Sequence, residues 1–372
     1  MEYRWIEEIE NFNRISGDWD RALASSESPN PFLLSDFVKV WWMHFKESSL
    51  LRVLVIYDGN TIVGGIPLYL KRCGNVYGFA RVLSYVGGAA ANYTEPLYGS
   101  PRVKMLTLIE EALAGRQDWD VLYLSDIRDC NRLIEECRNR PHGSRNTMRL
   151  IQDHVNWGVD MSAGLTQYLD TISWKLKKDL RAKRKHILKS LGDISLKEIS
   201  GPEEIGKYFD VYTGFSRSAF TGRGRRSSFE DGRYASFLKD LMIVMDKGGR
   251  LAAYVLFAGD RIMAVSFGYR SDKGYDWVLT SFDYELKYFR PGYILMEEQL
   301  KRIYDRGGTY CNMYGHERFF KDQWSNDQSP LIKLFLIRRT LRGGCYSAIN
   351  GAENALRSNP VMVRLARRLK RA

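Results

Sequence analysis

Residues 250–280 read RLAAYVLFAGDRIMAVSFGYRSDKGYDWVLT, and this stretch decides the fold of the second half of the chain. It contains three runs rich in β-branched and aromatic residues, which favour β-strands. Gly259-Asp260 and the segment 271–274 separate these runs and are typical of tight turns. The stretch therefore predicts three consecutive strands, at about 250–257, 261–269 and 274–280.

The first half contains a similar hairpin. Leu51–Tyr57 and Thr61–Leu70 are β-rich runs joined by Asp58-Gly59-Asn60, and Asp-Gly between two such runs is a strong hairpin signal. Residues 53–62 align with residues 253–262 at a constant offset, which we interpret as an internal duplication. The expected fold class is α/β, with mixed α+β character in each half.

The remaining segments are mostly helical by periodicity. The pattern predicts helices at 35–46, 165–191 and 291–306, and an edge hairpin at about 148–159. At 372 residues the chain suits two domains rather than one core. We predict a first domain at 1–160, a second at 161–340 and a basic helical tail at 341–372.

Composition narrows the class of protein. Hydrophobic residues make up 44% of the chain, which indicates a folded protein, but no stretch approaches the ~20 apolar residues of a membrane span. The N-terminus is acidic and the five cysteines are scattered, so we expect a cytoplasmic protein with free thiols and no metal site. The net charge of +12 favours an anionic partner: a phosphorylated cofactor, RNA or a membrane surface.

The segment from Asp283 to Leu300 is the first candidate site, because it follows a strand and opens a helix. Pro291 suits the first helical turn, and the amides of Gly292 and Tyr293 are placed where a helix binds an anion such as a pyrophosphate. Arg290 adds a guanidinium beside them. The alternative is a helix that merely begins with proline.

A second candidate lies downstream, where a strand ends at Gly315 and a short helix follows. His316, Glu317 and Lys321 are placed to face a cleft at the end of that strand, where α/β sites gather. An imidazole there can accept a proton near neutral pH. The alternative for each of these residues is a solvated capping turn.

The helix at 174–189 is the third candidate, because eight of its residues from 175 to 189 are lysine or arginine. Such a helix can contact RNA, a polyphosphate or acidic lipids, although a charge run is usually only a solvated face. The segment 217–228 is basic and rich in Gly and Ser, and predicts a mobile flap over the same region. Residues 361–371 form a short cationic amphipathic pattern that predicts a weak membrane-surface contact.

The chain contains no P-loop, GxGxxG, HExxH or GxSxG motif, which excludes the commonest kinase, dehydrogenase, zinc-protease and esterase classes.

The order of these pieces resembles the GNAT-type acyltransferase family associated with cellulose and exopolysaccharide biosynthesis. The motifs that carry the resemblance are Tyr288-Phe-Arg-Pro-Gly292, Phe320-Lys321, Trp324, Asn30-Pro-Phe32, Gly65-Ile-Pro-Leu68 and Leu83-Ser-Tyr-Val-Gly87. Asn312 stands where that family commonly has an aspartate, which puts an acidic role at this strand end in doubt. The layout is also similar to the Fem-type transferases, so the resemblance implies tandem GNAT-like domains, each a twisted mixed sheet flanked by helices.

The resemblance implies direct transfer of an acyl group from acyl-CoA to an amine or hydroxyl of an envelope or polysaccharide precursor, at the inner face of the membrane or in the cytoplasm. Arg290, Gly292, Tyr293 and Lys321 would then bind the donor. Asp283 or His316 would accept the acceptor's proton, and Tyr284 or Tyr314 would protonate the leaving group. The first domain is expected to be structural or acceptor-binding. Three alternatives remain: an aminoacyl-tRNA-dependent transferase, a non-catalytic scaffold of polysaccharide assembly, and an RNA-binding protein.

Overall fold

The structure is a computed structural model of the chain. It describes residues 1–26, 30–72, 80–141, 145–221, 228–271, 274–315 and 318–358. His316, Glu317 and the amphipathic segment at 361–371 therefore lie outside the described residues, as do residues 222–227 of the basic segment at 217–228.

Within these residues, thirteen strands form one sheet that contains the strands of both halves. The strands are β1 Glu2–Ile6, β2 Leu50–Asp58, β3 Thr61–Arg72, β4 Arg81–Tyr85, β5 Leu97–Tyr98, β6 Val121–Arg128, β7 Asn146–Asp160, β8 Ile194–Ile199, β9 Leu251–Ala258, β10 Arg261–Ser271, β11 Gly274–Phe282, β12 Tyr310–Asn312 and β13 Asp327–Arg338. Their order across the sheet is β1-β2-β3-β4-β6-β13-β7-β12-β11-β10-β9-β8, and β5 pairs with β3.

The sheet repeats itself about its centre. Both predicted hairpins are present, as β2–β3 and β9–β10. Each half contains one parallel pair, β4 with β6 and β11 with β12, and each parallel pair is only three residues long. Beyond these residues the two parallel strands are no longer paired. The mixed sheet confirms the predicted fold class.

The two central strands connect the halves. Strand β7 pairs with β12 on one side and β13 on the other, and β13 also pairs with β6. By position in the sheet, β7 lies with the strands of the second half and β13 with those of the first. The predicted edge hairpin at 148–159 is wrong, because these residues form one central strand that is hydrogen-bonded on both sides. The predicted division at residue 160 stays a prediction.

Helices cover the sheet. They are α1 Ile9–Ala24, α2 Ser35–Phe45, α3 Met105–Ala114, α4 Arg132–Arg138, α5 Leu165–Thr171, α6 Trp174–Ser190, α7 Pro202–Thr221, α8 Gly232–Lys247, α9 Pro291–Asp305, α10 Arg318–Trp324 and α11 Leu341–Ser358. The single helix predicted at 165–191 is two helices. The break follows from Ser173, whose hydroxyl accepts a hydrogen bond from the Leu176 amide (3.3 Å) and starts α6 as its N-cap.

The buried core also spans the halves. One cluster runs from Phe12 and Trp19 of α1 through the first half of the sheet to Phe267 and Tyr314 of the second. Another lies under α5, α6 and α9. Among the described residues, no helix combines the length and the apolar composition needed to cross a bilayer.

Candidate active site

The first candidate segment forms a capped turn that leads into α9. Asp283 caps a 3-10 turn over Tyr284–Phe289, and one of its carboxylate oxygens accepts the Glu285 amide at 3.0 Å. Its other oxygen accepts from the Arg261 guanidinium at 2.7 Å. Both oxygens of Asp283 therefore have partners that hold the turn in place. Tyr284 follows in the turn, with the Lys287 ammonium 4.4 Å from the centre of its ring.

The start of α9 is conformationally unusual. Arg290 has a left-handed backbone (φ 55°, ψ 52°), which is uncommon for a residue other than glycine. Its guanidinium lies 3.0 Å from Asp179 of α6 and 5.1 Å from the ring of Tyr293. Pro291 is the first helical residue, as predicted, and the Tyr293 amide donates to the Arg290 carbonyl at 3.0 Å. The Gly292 amide and the Arg290 side chain are thus the hydrogen-bond donors that this turn offers to an anion.

Gly292 is not required by packing. A methyl group at this position would meet only Phe282 within 4 Å, at an ordinary contact distance of 3.8 Å. Its backbone also lies outside the left-handed region, so an alanine would not be strained. Because no protein group needs the space at Gly292, this space faces the surface beside the helix start.

A buried polar network lies where β11 and β12 separate. Asp276 is Asn312's partner across the parallel pair, and its Oδ1 accepts from the Asn312 amide at 3.0 Å and from the Tyr314 hydroxyl at 2.8 Å. Burial raises the pKa of Asp276, and burial next to Asp276 raises the pKa of Tyr314 well above its usual range. Asn312 also donates to the hydroxyl of Tyr93 from the first half. The acidic group that Asn312 lacks is therefore present on the neighbouring strand.

The loop after β12 is held in place by Lys321, the second residue of the Phe320-Lys321 motif. Tyr314 has a left-handed backbone (φ 56°). Lys321 of α10 donates to the carbonyls of Tyr314 at 3.1 Å and Gly315 at 2.5 Å. Lys321 thus fixes this loop, and Phe320 beside it packs against Tyr293 with ring centres 4.7 Å apart. The two candidate segments are therefore connected through α10.

A cavity of about 390 Å³ opens on the other side of this loop, between the two halves; we call it the junction cavity. Its wall contains the ends of the first-half parallel strands, the central strands β7 and β13, and the loop after β12. The lining residues are Tyr69, Ser84, Tyr85, Gly88, Ala91, Asn92, Thr94, Tyr123, Ser125, Asp126, Asp153, His154, Tyr314, Gly315 and Lys333.

His154 is the central ionisable group of the junction cavity. Its Nε2 lies 3.0 Å from Asp126 and its Nδ1 lies 2.9 Å from Asp153. The hydrogen bond with Asp126, together with the charges of both carboxylates, raises the pKa of His154 above its usual value. Burial opposes ionisation of Asp153, but the Lys333 ammonium 2.7 Å away and His154 outweigh it, so the pKa of Asp153 is lowered. Sequence reasoning did not identify any of these residues.

The predicted site residues fall in two places. Asp283, Tyr284, Arg290, Gly292 and Tyr293 lie together on the turn that starts α9. Tyr314 and Lys321 lie at the loop after β12, and Tyr314 reaches the junction cavity. The proton-transfer roles assigned to Asp283, His316, Tyr284 and Tyr314 stay predictions.

Comparison with known proteins agrees with this fold. Residues 175–322 match a family model described as an acetyltransferase (GNAT) domain. No curated protein matches the chain by sequence. Among solved structures, the chain is similar to FemX (10% identity, 94% of this chain and 100% of that one, TM-score 0.60). It is also similar to a conserved protein of unknown function from Bacteroides thetaiotaomicron (12% identity, 90% and 100%, TM-score 0.56).

A third similar structure is the C-terminal domain of a putative lysylphosphatidylglycerol synthetase from Agrobacterium fabrum (11% identity, 93% of this chain and 96% of that one, TM-score 0.50). At these identities the likeness concerns the fold. Fold and family model together define a protein with a GNAT-type fold. The residues that match this family model, 175–322, include the α9 turn, β12 and most of α10.

Proposed function

We propose that this protein is a GNAT-type transferase that moves an acyl group from acyl-CoA directly to an amine or hydroxyl of an envelope or polysaccharide precursor. The observation that carries the proposal is the coincidence of the GNAT domain match with the α9 turn. The parallel pair β11–β12 separates after Asp276, and β11 then leads through this turn to a helix start that bears Arg290 and an unobstructed Gly292. A helix N-terminus beside a guanidinium suits the diphosphate of a coenzyme A donor.

The proposed reaction requires the protein mainly to position the acyl donor and the acceptor. The acceptor's nitrogen or oxygen attacks the acyl carbonyl, and an amide at the edge of the separated strands polarises that carbonyl. Arg290, Gly292 and Tyr293 are the proposed donor site, and Lys321 supports it by holding the neighbouring loop. Asp283 or His316 is the proposed proton acceptor, and Tyr284 or Tyr314 the proposed proton donor. Burial beside Asp276 raises the pKa of Tyr314 and makes it a weaker acid, which argues against Tyr314 in this role.

A second candidate donor is an aminoacyl-tRNA, and one observation favours it. Helix α6 presents an exposed row of basic side chains directly beside the α9 turn, with the Lys183 ammonium 3.3 Å from the centre of the Tyr288 ring. A long basic surface suits a nucleic-acid backbone better than it suits a small cofactor. Release of free thiol from acetyl-CoA, against transfer that requires charged tRNA, separates the two donors.

The donor site is tested with two variants and a control. Arg290→Ala is expected to raise the dissociation constant of acetyl-CoA about tenfold, equivalent to ~1.4 kcal/mol, measured by calorimetry. Gly292→Ala is expected to weaken binding similarly while leaving the melting temperature unchanged or slightly raised, because the fold has room for the methyl group. Arg306→Ala removes a comparable surface ion pair, with Glu198, and should leave binding unchanged.

If acetyl-CoA and charged tRNA both fail to shift the melting temperature of the wild type, the transferase proposal is wrong and the scaffold alternative gains support. If Gly292→Ala binds acetyl-CoA as well as the wild type, the donor is not held at the α9 turn.

A further inference from the structure

The junction cavity contains a chain of charges that the proposed donor site does not use. Lys333 of β13 pairs with Asp153 of β7, Asp153 pairs with His154, and His154 pairs with Asp126 of β6. All four side chains are between one fifth and one third exposed, so they face the cavity rather than bulk water. Such a chain is unusual at the centre of a sheet, where alternating apolar residues are the rule.

Two irregularities of the sheet create this arrangement. On β7 the pairing with β13 skips one residue, Asp153, which places Asp153 and its neighbour His154 on the same side. On β6 the residues Ser125 and Asp126 oppose the single residue Lys333, and Asp126 has a left-handed backbone (φ 58°). Bulges and left-handed residues of this kind weaken a sheet and gather at functional sites. Here two of them direct three ionisable side chains into one cavity.

We propose that the junction cavity binds the acceptor of the transfer reaction as a primary amine, and that His154 and the amine share a single proton there. This inference rests on the proposed transferase function and narrows its acceptor from an amine or hydroxyl to an amine.

The charges of the cavity support this choice. Asp126 and Asp153 bring two negative charges, Lys333 brings one positive charge, and the aromatic neighbours Tyr123 and Tyr314 are neutral. One further positive charge balances the group, and either the imidazolium of His154 or the ammonium of a bound amine can supply it. A neutral amine beside a protonated His154 and an ammonium beside a neutral His154 carry the same total charge. The cavity thus accepts the common, protonated form of an amine only if His154 gives up its proton.

The same exchange prepares the nucleophile. Once the ammonium has displaced the imidazole's proton to solvent, the neutral His154 takes a proton from the ammonium, and the free amine attacks the acyl carbonyl carbon. The new C–N bond forms as the bond from that carbon to the donor's sulfur or ester oxygen breaks. The departing sulfur or oxygen takes up the proton that the nitrogen loses as the amide forms. The raised pKa of His154 makes it a stronger base for this purpose than an ordinary imidazole.

The rest of the cavity fits a polar acceptor. Ser84, Asn92, Thr94 and Ser125 line the wall around the charge chain and offer hydroxyl and amide groups. Gly315 closes the cavity against His154, and a methyl group at this position would overlap the imidazole ring. A volume of about 390 Å³ is within the usual range for small-molecule sites.

The test is calorimetric titration with glucosamine and ethanolamine, compared with N-acetylglucosamine and N-acetylethanolamine, which lack the amine. At about pH 8 the two amines should bind, and the acetylated compounds should bind at least about tenfold more weakly. Towards about pH 6 the heat of amine binding should depend on the buffer's ionisation enthalpy, because a protonated His154 must release a proton to solvent when an ammonium binds. Affinity should fall as the pH is lowered to about 6, where His154 and the amine are both protonated.

His154→Gln and Asp126→Asn should each weaken amine binding about tenfold or more, and His154→Gln should abolish the buffer dependence of the heat. The control is His44→Gln, which breaks a similar histidine–carboxylate pair, with Asp240 at 2.9 Å, outside the cavity. His44→Gln should bind both amines like the wild type. Equal binding of amines and acetylated compounds, unchanged binding by His154→Gln, or no binding of either amine at about 20 mM would each overturn the proposal.

These titrations contain no acyl donor. Failure of the amine experiment alongside intact acetyl-CoA binding would refute the acceptor site only. Loss of acetyl-CoA and tRNA binding with intact amine binding would refute the transferase proposal only.

Discussion

At the scale of single residues, Asp276 and Asn312 show that a carboxyl group expected on one strand is present on the neighbouring strand. The family that the sequence resembles commonly has an aspartate at the position of Asn312. In this chain the carboxyl group sits on Asp276, directly across the parallel pair, and the Asn312 amide donates to it at 3.0 Å. The resemblance alone suggested a missing acid, because the register of β11 against β12 cannot be read from either motif.

Asp276→Asn is predicted to change how stability depends on pH. Burial raises the folded-state pKa of Asp276 above its unfolded value, so the carboxyl's favourable contribution is complete below the unfolded pKa of about 4 and is lost as the pH rises through the folded pKa. Asparagine has no charge to bury, and its carbonyl can accept both hydrogen bonds. We expect urea unfolding to show the variant gaining stability relative to the wild type from about pH 4 to pH 8. A difference that stays constant over this range would mean that Asp276 is not held against ionisation.

The residues of the junction cavity were missed for a definable reason. Gln152, Asp153 and His154 are three adjacent polar residues, which break the alternation expected of a strand half-buried on one face. The sequence predicts an edge hairpin over this segment, at about 148–159. The structure shows that the break marks a bulge in a central strand, and a polar run inside an otherwise β-rich segment is the signal that was available.

At the scale of elements, the sequence correctly predicted the helices and hairpins whose structure depends mainly on their own residues. The hairpins β2–β3 and β9–β10 follow from turn residues between β-rich runs, and α9 begins at Pro291 as predicted. The prediction of one helix over 165–191 failed because Ser173 starts a new helix, a side-chain capping effect that hydrophobic periodicity does not register.

Helix α6 is the element that distinguishes the two donors. Its exposed side includes Lys178, Arg181 and Lys185 at the spacing of one helical face. If the donor is a charged tRNA, replacing all three by glutamine should weaken its binding and reduce the slope of log K against log salt by about 2 to 3, as measured by filter binding. Binding of acetyl-CoA should change by less than about twofold, because the α9 turn is intact.

A matched control for α6 removes the same charge elsewhere. Lys104→Gln, Lys207→Gln and Lys247→Gln together replace three exposed lysines outside α6. An equal loss of tRNA binding in this control would show that only net charge matters and that α6 is not a specific surface.

At the scale of the whole molecule, the shared central strands predict that the two halves fold as one unit. The first half of the sheet is completed by β13 and the second by β7. A fragment ending at residue 160 lacks β13 and leaves the edges of β6 and β7 unpaired, and a fragment starting at residue 161 lacks β7. We expect each fragment alone to be largely unfolded by circular dichroism, and the two co-expressed fragments to recover the native spectrum together.

Independent, cooperative unfolding of the fragment 1–160 would instead support the division of the chain predicted from its sequence. Length, the repeated hairpin and the family resemblance all indicated two units in chain order. None of them carried information about strand pairing between distant segments, which only the three-dimensional register contains.

The late position of β13 has a consequence for synthesis in the cell. The ribosome releases strands β1 to β6 long before residues 327–338 emerge, so the growing chain carries an open β6 edge during most of translation. An open edge of this kind recruits other strands, including those of neighbouring nascent chains. Expression yield should therefore depend on how fast residues 129–338 are translated, and on chaperones that bind the open β6 edge during that interval.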